Sequence, residues 1–165
     1  MNLTHKVVGL LRVLLVLLFA GLVVGQTLSF PGQFAHMAQE SPDMAYLTWP
    51  LTAFAVLELL CIQVVIVCIW RLLTMVKADR IFSREAFAWV DGIVWAIAAG
   101  WLLFAAASAT ITAIIYFTPE LRDPGTPILL FGMTLLGSVL VMLMVVMRAL
   151  LRQAAALRSD MDAVI

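Results

Sequence analysis

The chain has 165 residues, of which 64% are hydrophobic and 12% charged, and its formal net charge is +0. Its mean hydropathy is +1.09, whereas a soluble domain is nearer half apolar and a quarter charged, so an ordinary water-soluble fold is excluded. The neutral balance gives no bulk attraction to nucleic acid, and no direct nucleic-acid contact is expected.

Four apolar runs reach the ~20 residues that a membrane crossing needs. They cover about 7–28, 47–76, 86–117 and 127–151. None alternates polar and apolar residues with period two, which disfavours a barrel. Backbone groups in lipid must be bonded internally, and that leaves helices. The expected fold is all-α: one integral membrane domain, a four-helix bundle, with a short C-terminal tail after the fourth span.

The first run begins after Lys6 and holds Arg12 just inside it. It is longer than the 7–15-residue core of a signal peptide, and no small-x-small cleavage site follows directly, so an uncleaved anchor is expected. The loop after it contains Pro31, Pro42 and Pro50. The stretch Gln33–Gln39 between the first two is a candidate interfacial helix, and Tyr46 and Trp49 suit the headgroup level. Pro50 fits the first turn of span two, where a missing N–H costs nothing.

Glu58 stands well inside span two, in "FAVLELLCIQVV". An ionisable group at such depth is expensive and marks a functional candidate. No basic residue of the other spans falls at its level, and desolvation favours the protonated carboxyl. Such a carboxyl can donate to a hydroxyl, with Thr134, Ser138, Ser108 and Thr110 as candidate acceptors. Two readings stay open: a hydrogen bond that fixes the register of the bundle, or a proton or cation site. Cys61 and Cys68 lie on the same span, too far apart for a disulfide within one helix. Two thiols and a carboxylate at this spacing match no usual ligand set, so structural thiols and no metal site are expected.

The connection between spans two and three holds Lys77, Arg80 and Arg84, with Arg71 at its edge. The C-terminal end carries Arg148, Arg152 and Arg158, while the loop at 29–46 has no Lys or Arg and the loop at 118–126 has only Arg122. The positive-inside rule then places both termini and the middle connection in the cytoplasm of a multi-pass protein of the cell membrane. The same connection starts span three. Ser83 fits the N-cap and Glu85 the first turn, where the helix dipole favours an anion. Phe82 and Phe87 match a hydrophobic staple.

Asp91 lies ~6–7 Å beyond the start of span three, if that span enters the membrane near Ala86. An intramembrane charge needs a partner, and Arg12 or Arg71 is the expected one. Small residues such as Ala96, Gly100, Ala105 and Ala109 give span three a face for close helix approach. Span four holds Gly132, Gly137 and several methionines, read as packing. Its helix is expected to continue past Arg148.

At "RIFSREAFAWVDGI" the chain resembles a bacterial membrane protein family called domain of unknown function 2975. The residues that carry the resemblance are Ile81, Phe82, Ser83 and Glu85, with Ile93 further on. The resemblance implies a four-span protein with a short cytoplasmic turn. It also implies a regulatory or sensing partnership with a small helix-turn-helix regulator, and no catalytic residues.

No phosphate loop, nucleophile elbow, zinc-protease helix or dinucleotide fingerprint occurs, so neither an enzyme nor a cofactor is expected. The first functional expectation is a non-enzymatic regulatory or sensing protein. Its cytoplasmic surface, Lys77, Arg80, Arg84 and Arg152, would meet a protein or anionic lipid. A second is an oligomeric proton-coupled or small-solute transport module using Glu58. A third is an accessory subunit of a larger membrane complex.

Overall fold

A computed structural model describes residues 2–40, 48–77, 84–118 and 124–162. Among them every regular element is helical: α1 (Asn2–Val24), a π-helical turn (Gly25–Ser29), α2 (Phe30–Glu40), α3 (Thr48–Lys77), α4 (Arg84–Phe117) and α5 (Gly125–Asp162). Four segments are long and apolar enough to cross a membrane: Val7–Gln33, Thr48–Val76, Glu85–Phe117 and Gly125–Leu157. The chain is a multi-pass membrane protein by length and composition.

The first span extends further than hydropathy suggested, and no break separates it from Gln33–Gln39. The helix runs through a single π turn into α2. Proline explains the turn. The ring of Pro31 crowds the carbonyl four residues back, which belongs to Thr27. Widening the helix there relieves the clash, and the N–H of Phe30 bonds the carbonyl of Gly25 instead. The Thr27 hydroxyl donates to Val23 O at 2.9 Å.

Pro50 is the third residue of α3 and Pro127 the third of α5, both in first turns, as proline's missing donor requires. Glu85 occupies the first turn of α4. Phe87 also lies in α4, while Phe82 and Ser83 lie outside the described residues, as does Arg80. α5 continues to Asp162 without interruption past Arg148.

The spans pack in the order α1, α3, α4, α5. Among the described residues, no Cα of α1 comes within 8 Å of α4 or α5, and none of α3 within 8 Å of α5. Neighbours run antiparallel. Cys68 of α3 meets Gly92 of α4, and Glu58, earlier in α3, meets Gly100, later in α4. Further out, Trp101 of α4 lies against Gly137 of α5. Most apolar side chains of α5 face outward, among them Leu129, Leu136 and Val146. In water that surface would be untenable; against lipid tails it costs nothing, so helix pairing must come from close packing and hydrogen bonds.

One such bridge ties the π turn to α3. Gln26 donates to Val56 O at 3.3 Å, and Gln63 donates to Gln26 Oε1 at 3.0 Å. Gln63 is buried, with 7% of its surface exposed. Interhelical hydrogen bonds in membranes average about 0.6 kcal/mol and reach about 1.7. Gln63→Leu is therefore expected to destabilise by about 1 kcal/mol, read as a lower unfolding midpoint in mixed micelles. Gln26→Leu should cost no less, because it also strips the bond to Val56 O.

Candidate functional site

Glu58 sits ten residues into α3, about 15 Å from its start and about 28 Å from its end. One carboxyl oxygen, Oε1, is buried and has no hydrogen-bond partner. The other, Oε2, lies 3.3 Å from where a β-carbon would stand at Gly100. Glycine at this place in α4 lets the two helices approach with the carboxyl between them.

The hydroxyls considered for Glu58 do not serve it. Thr110 donates to Ala106 O, Thr134 to Leu130 O and Ser138 to Thr134 O, each one turn back on its own helix. Ser108 is buried, and its oxygen too has no partner. A hydroxyl inside lipid finds the carbonyl four residues earlier at no cost in chain entropy, and that local bond wins over a cross-helix one.

Glu58 opens onto a trough between α3 and α5, floored by α4. Its volume is about 410 Å³, and its walls include Cys61, Val65, Ile97, Phe104, Met133 and Leu140. Trp101 also lines it, but the indole N–H is taken, donating to Thr134 O at 3.1 Å.

Asp91 does not pair with Arg12 or Arg71. Its Oδ1 accepts from Arg148 Nε at 2.5 Å and its Oδ2 from Arg152 at 2.6 Å. The two arginines are four residues apart on one face of α5, which packs directly on α4. Arg12 stands on α1, behind α3. Its guanidinium donates to Thr74 Oγ1 at 3.3 Å and lies 5.6 Å from the ring centre of Trp70. Arg71 lies 5.5 Å from the ring centre of Trp89. Each cation is met by an aromatic face on an adjoining turn or helix, an arrangement that strengthens as water is removed. Asp91, Arg12, Arg71, Arg148 and Arg152 thus gather toward one end of the molecule, and Glu58 lies deeper in α3.

Lys77 and Arg84 close α3 and open α4 at that same end; their side chains lie outside the described residues. Cys61 and Cys68 are free thiols, and among the described residues no three His, Cys, Asp or Glu side chains come close enough to hold a metal.

A family model described as a protein of unknown function, DUF2975, matches residues 32–165. The chain belongs to this family. The match spans α3, α4 and α5 with most of α2, so the Glu58 trough and the Asp91 pairings lie wholly within the DUF2975 region. No curated protein and no solved structure matches the chain. What this DUF2975 protein does must be argued from its own residues.

Trp101, Gln26 and Gln63 are not singled out by the sequence, whereas Gly137 reads there as a packing residue. Glutamine inside an apolar run was the available signal for Gln26 and Gln63. For Trp101 no local signal existed, because its importance lies in meeting Gly137.

Proposed function

We propose that this protein is a non-enzymatic regulatory or interaction protein of the cell membrane, with both termini and the α3–α4 connection in the cytoplasm. The observation that supports this reading is the length of α5. Its 38 residues extend about 57 Å, against a hydrocarbon core about 30 Å thick. If Gly125 starts near one surface, the helix beyond about residue 148 stands clear of the other.

That extension is held by charge. Asp91 grips Arg148 and Arg152, so the emerging helix is anchored to α4. Lys77 and Arg84 bound α3 and α4 at the same end, Arg80 stands between them in the sequence, and this basic excess favours the cytoplasmic side. A helical stub carrying Arg152 and Arg158, next to the basic α3–α4 connection, is suited to an acidic protein surface or to anionic lipid. The helix-turn-helix regulator implied by the family resemblance is the first protein partner to try, with the contact made to the protein and not to its DNA.

Reporter fusions and affinity capture test this together. A cytoplasm-active reporter at residue 80 or after residue 165 should be active, and one at residue 122 silent. Capture of the full chain in gentle detergent should recover a partner that is lost, several-fold or more, from the Arg80→Glu, Arg84→Glu double variant. Equal recovery from both chains would remove this surface from consideration.

A further inference from the structure

We propose that the trough beside Glu58 is a binding site for a small lipophilic amine, entering from the bilayer and giving its N–H to the Glu58 carboxyl. This goes beyond the regulatory reading and does not rest on it.

The argument starts from an unsatisfied atom. Oε1 of Glu58 is buried and accepts nothing from the protein. A buried acceptor left empty costs about 1–3 kcal/mol, more if charged, so the fold retains this oxygen at a loss unless something else satisfies it. The remaining walls supply it with no hydrogen bond: the Trp101 N–H goes to Thr134 O, the free Cys61 thiol is a weak donor that makes no bond to it, and the other lining residues have only hydrocarbon or thioether side chains.

Size selects the class of occupant. At about 410 Å³ the trough falls in the range of small-molecule pockets. A transmembrane helix, 10–12 Å across with its side chains, would need a far larger groove. The trough is open because α3 and α5 do not close over α4. It opens where the outer face of α5 is apolar, through Leu136 and Leu140, so access is from lipid.

Chemistry selects the head group. The pocket presents one acidic acceptor in an otherwise apolar wall. An ammonium meeting a carboxylate, or an amine meeting a carboxylic acid, is the same pair with the shared proton on one side or the other. Oε1 itself is enclosed, so the carboxyl meets either head group by turning about its terminal bond, a soft rotation, and the low dielectric strengthens the bond. An anion would face the carboxylate without a counter-charge. A fully apolar molecule would leave the oxygen empty.

The test uses the full chain in phosphatidylcholine nanodiscs without any partner. The probe is 1-aminoadamantane, a compact cage with an N–H donor, and the control is 1-methoxyadamantane, which has the same cage and no donor. Equilibrium dialysis should show saturable binding of the amine and only lipid partitioning of the ether. Glu58→Gln should weaken the amine by about tenfold or more, the value of one charge-assisted hydrogen bond. Leu136→Trp, which fills the trough from the exposed side of α5, should weaken it comparably while leaving the helix content intact. Undiminished amine binding in either variant overturns the proposal. Equal saturable binding of amine and ether also overturns it, since the carboxyl would then play no part. So does efficient cross-linking between copies through a cysteine at residue 136, because a second chain would occupy the trough. Loss of the regulatory partner in the capture experiment leaves all these readings untouched, so the two proposals fail separately.

Discussion

Gly137→Ala is expected to lower stability by about 2–3 kcal/mol, read as a reduced unfolding midpoint in mixed micelles. A β-carbon at this position would lie 2.6 Å from Cδ1 and 3.2 Å from Nε1 of Trp101. The indole must then swing away, and overpacking of this kind costs about 1–3 kcal/mol. Moving the ring also breaks the bond from Nε1 to Thr134 O, worth about 1 kcal/mol more. The internal control is Gly132→Ala on the same helix, where nothing stands within 4 Å. There the better helix propensity of alanine should leave stability equal or slightly higher. Adding Trp101→Leu to Gly137→Ala should recover part of the loss, since the clashing ring is gone. If the two glycines respond alike, α5 is not seated on Trp101.

The second large effect belongs to the charged end. Asp91→Ala should destabilise markedly, because it leaves Arg148 and Arg152 as unopposed like charges four residues apart. The sharper measurement is a double-mutant cycle. Asp91→Ala combined with Arg148→Ala should cost far less than the two single changes added together. Asp91→Ala combined with Arg12→Ala or Arg71→Ala should be additive, within the ~0.3–0.5 kcal/mol usual for uncoupled sites. The partly exposed position of these groups means the loss should shrink as salt is raised. Coupling of Asp91 to Arg12 with none to Arg148 would reverse the helix order described here. For function, a weakened Asp91 grip should also loosen the α5 stub and lower partner recovery, even though Asp91 lies below the proposed contact surface.

The four spans could be read from the residues alone. Hydropathy and length are local properties, and a backbone in lipid has no choice but to bond within its own segment. The sequence also marked Glu58 and Asp91, since an ionisable residue in an apolar run is visible without a structure. The resemblance carried by Ile81, Phe82, Ser83 and Glu85 pointed to the family that residues 32–165 match.

What these residues meet follows from how the helices are arranged. Arg12, Arg71 and Arg148 are all plausible partners for Asp91 on depth alone. The choice depends on which helix lies beside α4, and periodicity does not encode neighbours. α3 stands between α1 and α4, so Arg12 turns to Trp70 and Thr74 while Asp91 is left to α5. The hydroxyls offered to Glu58 illustrate the same limit from the other side. Each is a sensible acceptor by type, yet Thr110, Thr134 and Ser138 are satisfied by the carbonyl one turn back. A bond available within the helix forms before any that needs two helices in register. Oε1 of Glu58 is an acceptor, and the N–H groups of its own helix interior are already bonded to the carbonyls one turn back. The unpartnered oxygen beside the trough is what remains once the hydroxyls of Thr110, Thr134 and Ser138 and the indole of Trp101 have bonded elsewhere.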